Sequence, residues 1–321
     1  MAVNKMFLVL NPVAGNSDPE EVRRDLDQRI QSSEGPAWQY DLYETTGQED
    51  LPAVVRQALD RGADLVVAGG GDGTVSAVAS GLAGTPDPDR VPMAILPVGT
   101  GNALARALGV PLDAGEALDL ALGPHRRRNI DLMRLADRFF LANITVGLSA
   151  EIMKEANSDE KQRLGLLAYV AAALMASLDS PPEDRRNRHF ALTVDGDSLD
   201  VEASEILLLN TGVVGLPKVE LGLDVCPDDG QIDLYTVPTE TLADSVWQAW
   251  RLISGSPEEE SGIRHLTARR SVSLRSDGPV PFQADGEPLG EISASGAIEI
   301  EVLPAAVSIV VPRDKINMSS P

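Results

Sequence analysis

A glycine-rich segment with a single acid follows an apolar run near residue 70. The sequence VVAGGGDGTVSAVASGL surrounds Asp72 with four glycines, and a helical pattern begins directly after them, at Thr74. Clustered glycines let backbone N–H groups approach an anion, and a helix N-terminus adds the positive end of its dipole. A carboxylate beside phosphates is repulsive unless a divalent cation lies between them. The segment therefore predicts a magnesium–nucleotide site, with a turn that needs glycine only for its backbone angles as the alternative.

Three further loops with small or polar residues follow predicted strands. FLVLNPVAGN leads to Asn11 and Gly15, MAILPVGTGNALARAL leads to Gly99, and QYDLYETTG offers Thr45. The carboxyl ends of parallel strands lie at one edge of a sheet, so we expect the four loops to converge on one crevice. The chain has no Gly-Lys pair and hence no Walker A loop, and it does not satisfy the G-x-G-x-x-G dinucleotide pattern.

Two acidic elements occur later in the chain. VPFQADGEPLG places Asp285 and Glu287 on either side of a glycine, and DVCPDDGQIDL places Asp228 and Asp229 before another. Taken alone, an Asp-Gly pair is a hairpin turn, and turn chemistry also explains the second element. A carboxylate with nearby carbonyls could equally hold Mg²⁺ or Ca²⁺.

Composition limits the kinds of ligand. The chain has a formal net charge of -22, which disfavours nonspecific binding to nucleic acid, so we expect no nucleic-acid partner. One cysteine rules out an internal disulfide, and with three scattered histidines it cannot supply a spaced zinc site. Any metal should therefore have oxygen ligands, and a bound polyanion needs local donors and a divalent cation to overcome the acidic field.

The secondary-structure elements that must position these residues follow two different patterns along the chain. Strand-like runs alternate with helical patterns in the first 128 residues, which predicts a parallel sheet with crossover helices. Later segments have period-two strands and Asp-Gly turns, which predicts a mainly antiparallel sandwich, interrupted by helices over residues 164–178 and 241–253. The first apolar run is too short for a signal peptide, and residues 164–178 are too few to cross a bilayer. We expect no transmembrane segment.

The ordered motifs NPVAG, GGGDGT, PVGTGNALAR, NIDLMRL, CPDDGQIDL and ADGEP resemble the diacylglycerol kinase catalytic family, which includes bacterial soluble lipid kinases and the sphingosine kinases. The resemblance implies a three-layer α/β nucleotide domain over residues 1–128, completed by a strand from residues 304–321. It implies a β-sandwich lipid domain over residues 129–303 and an active site in the interdomain cleft. It also implies ATP and Mg²⁺, and transfer of the γ-phosphoryl group to a membrane lipid, with diacylglycerol the leading acceptor.

The resemblance assigns roles to residues by motif. Asp72 matches the phosphate- and magnesium-linked acid, Asp131 a second acid of that network, and Glu287 the general base, a role that Asp285 could share or assume. Asp229, with the backbone carbonyls of Cys226 and Gln231, matches a structural Mg²⁺ site. The nucleotide-binding positions implied are Asn11, Pro12, Val13, Ala14, Gly15, Thr45, Gly70, Gly71, Asp72, Gly73, Thr74, Val75, Ser76, Gly99, Thr100 and Asn102.

The chain departs from the bacterial pattern at three positions. Ala103 replaces an acid that usually follows the asparagine of the third loop, and Ala77 and Ser80 replace the usual Glu and Asn. The alternatives are therefore a kinase of sphingoid bases or other lipids, and a non-catalytic nucleotide- or lipid-sensing homologue. We expect a cytoplasmic protein that meets membranes transiently by peripheral contact, through basic segments at residues 126–128, 185–188 and 264–270 or otherwise, and leave a homodimer open.

Overall fold

The computed structural model describes residues 3–15, 18–32, 37–83, 91–147, 149–150, 187–212, 225–238, 262–294 and 296–313. Two compact units divide the chain. The first comprises Met1–Ile130 and Ala305–Pro321, and the second comprises Asp131–Pro304. The two helices expected over residues 164–178 and 241–253 lie outside the described residues. In the part that is described, no helix is long and apolar enough to cross a membrane.

The first unit alternates strands and helices along the chain, as predicted. Its strands are β1 (Asn4–Leu10), β2 (Trp38–Glu44), β3 (Leu65–Gly70) and β4 (Met93–Pro97). Its helices are α1 (Pro19–Ser32), α2 (Leu51–Asp60), α3 (Asp72–Ala83), α4 (Ala103–Ala107) and α5 (Ala114–Leu122). The four strands pair in parallel in the order β2-β1-β3-β4.

Local sequence signals explain where two of the helices begin. Asp50 accepts a hydrogen bond from the N–H of Ala53 at the start of α2, and Asp113 does the same for Glu116 at the start of α5. Each aspartate satisfies an N–H that has no partner within its helix. The apolar positions of α2 recur at helical spacing, at Leu51, Val55 and Ala58, and all three are buried.

The core of the first unit lies on both faces of its sheet. Side chains of α1 and α5, such as Leu26 and Leu118, pack with Leu8 and Leu96 from the strands. In the order β2-β1-β3-β4, right-handed crossovers place α1 on one face and α2 and α3 on the other. β2 pairs with one edge of β1, and β3 pairs with the other edge. The ligand crevice of such a sheet lies at this switch point, beyond the carboxyl ends of β1 and β3.

The second unit is made of antiparallel strands. The remaining strands are β5 (Arg126–Leu135), β6 (Arg138–Phe140), β7 (Asn143–Gly147), β8 (Arg188–Val194), β9 (Asp197–Ala203), β10 (Glu205–Leu209), β11 (Ile232–Val237), β12 (Arg264–Ala268), β13 (Ser271–Ser276), β14 (Val280–Ala284), β15 (Glu287–Ile292) and β16 (Ile298–Val311). The chain passes between units within β5 and β16. The latter pairs with β13 through Ile298–Glu301 and, in parallel, with β4 at Ile309.

Two sheets enclose the core of the second unit. One has the order β16-β13-β8-β9, and the other has the order β12-β11-β10-β7-β14-β15. Phe190 and Leu274 of the first sheet and Ile144 and Leu234 of the second are at most 1% exposed and belong to one apolar cluster. Alternate residues of each strand point into this cluster, which is the pattern of a β-sandwich. The predicted fold class, a parallel α/β domain followed by an antiparallel β-sandwich, is confirmed.

Candidate functional site

The loops after β1 and β3 are joined by hydrogen bonds. The backbone N–H of Asn11 donates to the carbonyl of Gly69 at 2.8 Å, and its side-chain amide lies 3.4 Å from the hydroxyl of Thr74. The side-chain oxygen of Asn11 accepts from the N–H of Val13 at 3.1 Å, which closes the loop on itself. Asn11 thus ties the first loop to the start of α3, at the switch point of the sheet.

The loop after β4 lies against both of the others through glycines. A Cβ on Gly99 would stand 2.3 Å from the Cα of Gly71, and one on Gly15 would stand 2.0 Å from the carbonyl oxygen of Val98. Real Cβ atoms do not approach backbone so closely, so both positions need glycine for space. Gly15 also has a φ of 61°, in the left-handed region. The convergence expected of these three loops is therefore present in the geometry.

Asp72 lies in the first turn of α3 and accepts a hydrogen bond from the backbone of α4. Its Oδ1 is 2.6 Å from the N–H of Ala103. Asn102, which precedes α4 in a left-handed conformation with a φ of 52°, makes no side-chain cap of that helix. Its amide instead donates to the carbonyls of Pro97 and Gly99, at 3.0 and 2.8 Å. Asp72 therefore supplies the cap that Asn102 does not, and it joins α3 to α4.

The loop after β2, which contains Thr45, is ordered by Glu49 through the neighbouring Thr46. The N–H of Thr45 donates to the carbonyl of Leu10 at the end of β1, at 2.9 Å. The hydroxyl of Thr46 donates to Glu49 at 2.6 Å, and backbone N–H groups of Thr46 and Gln48 add to it. These hydrogen bonds, that of the hydroxyl first, lower the pKa of Glu49 to about 2. Sequence reasoning missed Glu49, since an acid three residues after Thr46 has no signature beyond turn chemistry.

The remaining predicted nucleotide positions fall into exposed and buried groups. Val13 and Thr100 are exposed at the loop tips, and Val13 is 80% exposed. Thr74, Val75 and Ser76 are buried within α3, so they can act through the backbone of the helix start more readily than through their side chains. The helix begins at Asp72, two residues before the Thr74 start expected from sequence, which brings Gly73 into its first turn. Pro12 and Ala14 are half-buried in the first loop, and Gly70 ends β3.

The second unit places Asp285 in a tight hairpin turn between β14 and β15. Asp285 and Gly286 have φ values of 47° and 82°, the pattern of a two-residue hairpin with both residues left-handed. The Asp285 carboxylate accepts hydrogen bonds from the N–H groups of Leu141, Ala142 and Asn143, at 2.8, 2.8 and 3.0 Å. Asp285 thus anchors the turn to the segment that begins β7.

Glu287 follows this turn and has an exposed carboxylate. Its side chain is 57% exposed, and its Oε2 lies 2.8 Å from a guanidinium nitrogen of Arg138. Arg138 also stands over the ring of Phe140, 5.2 Å from its centroid. Sequence reasoning missed Arg138, and no local signal could have found it, because it lies 149 positions from Glu287. An exposed carboxylate held by one cation is available to accept a proton from a ligand.

Asp131 is buried on β5 and contacts the loop of the predicted metal site. It is 1% exposed, its Oδ2 accepts from the N–H of Gly230 at 2.7 Å, and its own N–H donates to the carbonyl of Pro227. The buried amide of Asn210 donates to the backbone carbonyl of Asp131 at 2.7 Å. The structure thus brings Asp131 together with the 226–231 loop. That Asp131 shares a network with Asp72 of the first unit stays a prediction.

The residues of the predicted metal site form a compact turn. The carboxylate of Asp229 accepts from the backbone N–H of Gln231 at 3.0 Å and from its side-chain amide at 3.2 Å. The thiol of Cys226 lies 3.1 Å from a carboxylate oxygen of Asp228. Within the described ranges, no group of three or more Cys, His, Asp or Glu side chains could hold a metal. A cation here would need backbone carbonyls, such as those of Cys226 and Gln231, beside Asp229.

Two family descriptions match consecutive parts of the chain. Residues 5–135 match the diacylglycerol kinase catalytic domain, and residues 142–311 match the YegS C-terminal NAD kinase beta sandwich-like domain. A Pectobacterium atrosepticum protein named as a probable lipid kinase YegS-like is 31% identical over 82% of this chain and 83% of its own length. The Bacillus subtilis diacylglycerol kinase is 28% identical over 96% of both chains.

Solved structures with the same fold come from Bacillus anthracis. A crystal structure of a diacylglycerol kinase covers 96% of this chain and 97% of its own with a TM-score of 0.69 and 21% identity. A second chain from that organism covers 96% of this chain and 95% of its own with a TM-score of 0.76 and 24% identity. At these identities the likeness supports the fold. The two family matches together span nearly all of the sequence, and the chain belongs to the diacylglycerol kinase catalytic family of lipid kinases.

Proposed function

We propose that this chain transfers the γ-phosphoryl group of Mg-ATP to a hydroxyl of a membrane lipid, with diacylglycerol the leading acceptor and phosphatidic acid the product. The observation that carries the proposal is the meeting of three loops at the switch point of the parallel sheet. Gly99 lies so close to Gly71 there that a Cβ on Gly99 would stand 2.3 Å from the Cα of Gly71. The three loops thus meet beside the N-terminus of α3, at the edge where a polyphosphate binds in such sheets.

The residues of the first unit fit a magnesium–nucleotide. The loops after β1, β3 and β4 would hold the phosphates through backbone donors, and Asp72 would face the cation that the phosphates carry. When bound, Mg²⁺ neutralises the charge on the transferring group. Asp72 keeps one carboxylate oxygen on Ala103, which holds its side chain in place for that role.

In the second unit, we propose Glu287 as the base that accepts the proton of the lipid hydroxyl. Its carboxylate is exposed, whereas the Asp285 carboxylate accepts three backbone N–H groups. Oxygens that anchor a loop are poorly available to a substrate, so Asp285 would position the turn. The proposal requires Asp72 and Glu287 to serve one site during turnover. The lipid would be reached by peripheral contact.

Ala103 motivates a second acceptor. It stands where the bacterial pattern has an acid, it is 2% exposed, and its N–H is bonded to Asp72. A changed residue at this contact is compatible with a different lipid acceptor, such as a sphingoid base, and with loss of catalysis. A kinase with a different acceptor would phosphorylate another lipid, whereas a homologue without catalysis would phosphorylate none.

The test is phosphoryl transfer from labelled ATP to a panel containing diacylglycerol, a sphingoid base, glycerol and NAD. We expect transfer to diacylglycerol above the others. Asp72→Ala and Glu287→Gln should each lower that rate by at least about 100-fold, the usual scale for removing a group that acts in the transfer step. Glu202→Gln is the matched control, since Glu202 is an exposed carboxylate on β9. Transfer to another panel member would reassign the acceptor, and Mg-ATP binding without transfer to any would indicate a sensing homologue.

A further inference from the structure

The buried amide of Gln283 joins the turn before Glu287 to strand β7. Its Oε1 accepts from the N–H of Gly286 at 2.9 Å, and its Nε2 donates to the hydroxyl of Thr145 at 2.7 Å. The same nitrogen lies 3.4 Å from the side-chain oxygen of Asn143. Since a backbone N–H can only donate, the amide oxygen must face Gly286, which fixes the orientation of the amide. Gln283 is 7% exposed, so water competes little for these bonds.

The turn that Gln283 holds is conformationally demanding. Asp285 has a φ of 47° without being glycine, and the pairing of β14 with β15 shifts register between Phe282 and Gln283. Such features persist where the surroundings hold them. Two attachments do so here: the Asp285 carboxylate on residues 141–143 and the Gln283 amide on Gly286.

The Thr145 hydroxyl, which accepts the hydrogen bond from the Gln283 amide, has a further hydrogen-bond partner of its own. Thr145 is 5% exposed, and its hydroxyl lies 2.8 Å from that of Ser149. Ser149 in turn is hydrogen-bonded through its hydroxyl and its N–H to the carboxylate of Glu205. The amide of Gln283 therefore rests on a chain of hydrogen bonds that crosses β14, β7 and β10.

We propose that Gln283 is a positioning residue that sets where Glu287 stands. The inference rests on the proposed function, because it gives Glu287 the role of base. The Glu287 side chain is exposed, so the location of its carboxylate depends on the turn and on Arg138. A displacement of about 1 Å in a reacting group can cost about 100-fold in rate. Loss of the Gly286 bond should therefore lower kcat while the KM for ATP, which concerns the first unit, stays the same.

The experiment compares Gln283→Met with Gln283→Glu in the full chain. Methionine has similar length but no acceptor for Gly286, whereas glutamate keeps that acceptor and loses only the donor to Thr145. We expect Gln283→Met to lower kcat about 10- to 100-fold at unchanged KM for ATP, and Gln283→Glu to retain most of the rate. Amide exchange of Gly286 should be faster in Gln283→Met only. Ser276→Ala is the control, since Ser276 is 5% exposed on β13 and its hydroxyl has no partner among the residues that the structure describes.

The two substitutions separate positioning from packing. If Gln283 only fills space in a buried place, methionine should be the better substitute and the glutamate charge the worse one. That order of activities would overturn the inference, as would an unchanged kcat in Gln283→Met with faster exchange at Gly286. A wild-type chain that transfers phosphate to no acceptor would overturn the proposed function and the inference with it. An active wild type with equally active Gln283→Met would overturn the inference alone.

Discussion

At the scale of the residue, small side chains decide how close the loops of the first unit can come. Gly99 and Gly71 lie backbone to backbone, and Gly15 lies on the carbonyl of Val98. Ala103 is the residue whose N–H reaches Asp72. What these contacts share is the use of backbone atoms, which bring the loops after β1, β3 and β4 together beside the start of α3.

Gly99→Ala should therefore weaken nucleotide binding without unfolding the chain. The new Cβ would stand 2.3 Å from the Cα of Gly71 and 2.9 Å from its nitrogen, so the two loops must separate. Overpacking of this kind costs about 1–3 kcal/mol, and we expect the affinity for Mg-ATP to fall by at least about 10-fold. Calorimetric titration with Mg-ATP measures the affinity. Gly278→Ala is the control, because its Cβ would meet nothing within 4 Å. Equal affinity in the two variants would contradict the site.

At the scale of the element, two Asp-Gly hairpins of the sandwich use the same device. Asp195 and Gly196, between β8 and β9, have φ values of 54° and 103°, and the Asp195 carboxylate accepts the N–H groups of Arg269, Arg270 and Ser271. Asp285 repeats this arrangement with residues 141–143. The repetition at a turn with no proposed catalytic role supports Asp285 as an anchor and leaves Glu287 as the base.

The hydrogen bonds of the Asp195 carboxylate should make the free energy of unfolding depend on pH. Burial opposes ionisation of Asp195, but the N–H groups of Arg269, Ser271 and Arg270 outweigh it and lower its pKa below the usual 3.8. A lowered pKa contributes stability that is present above the unfolded value and is lost as pH falls through the folded value. Asp195→Asn should then reduce the free energy of unfolding by about 1–2 kcal/mol at pH 7, an estimate from charged hydrogen bonds at a partly exposed site.

Urea unfolding of the full chain at neutral pH and at pH values below the ordinary Asp range measures this contribution. The difference between the wild type and Asp195→Asn should shrink as the solution becomes more acidic. Asp197→Asn, at the exposed start of β9, is the matched control and should change little. A difference that grows with acidity would contradict the sign of the argument.

At the scale of the whole molecule, periodic sequence patterns predicted the fold, whereas individual long-range contacts could not be predicted. Alternating strands and helices, and Asp-Gly turns, are periodic signals, and they identified the fold class and the loops around Asn11, Asp72 and Gly99. The Arg138–Glu287 pair and the Gln283–Thr145 bond join residues 149 and 138 positions apart, and each depends on strand register rather than on local pattern. Such contacts exist only after the sandwich has formed, so no local sequence pattern predicts them.

The net charge of the whole chain leads to the last prediction, which concerns the membrane. A charge of -22 repels an anionic surface at long range, whereas the exposed Arg126, Arg127, Arg264, Arg269 and Arg270 attract it only at short range. Screening length is about 30 Å at 0.01 M salt and about 8 Å at 0.15 M, so repulsion should dominate at low salt.

We therefore expect replacement of part of the phosphatidylcholine by phosphatidylglycerol to slow transfer to diacylglycerol in vesicles at low salt. Added salt should relieve that inhibition, because it shortens the range of the repulsion. Initial rates across a salt series for both vesicle types measure the effect, and transfer to a short-chain, water-soluble diacylglycerol is the control that needs no vesicle. If anionic lipid instead speeds the reaction at low salt, the arginines govern the encounter, and replacing Arg126 and Arg127 by glutamine should remove the stimulation.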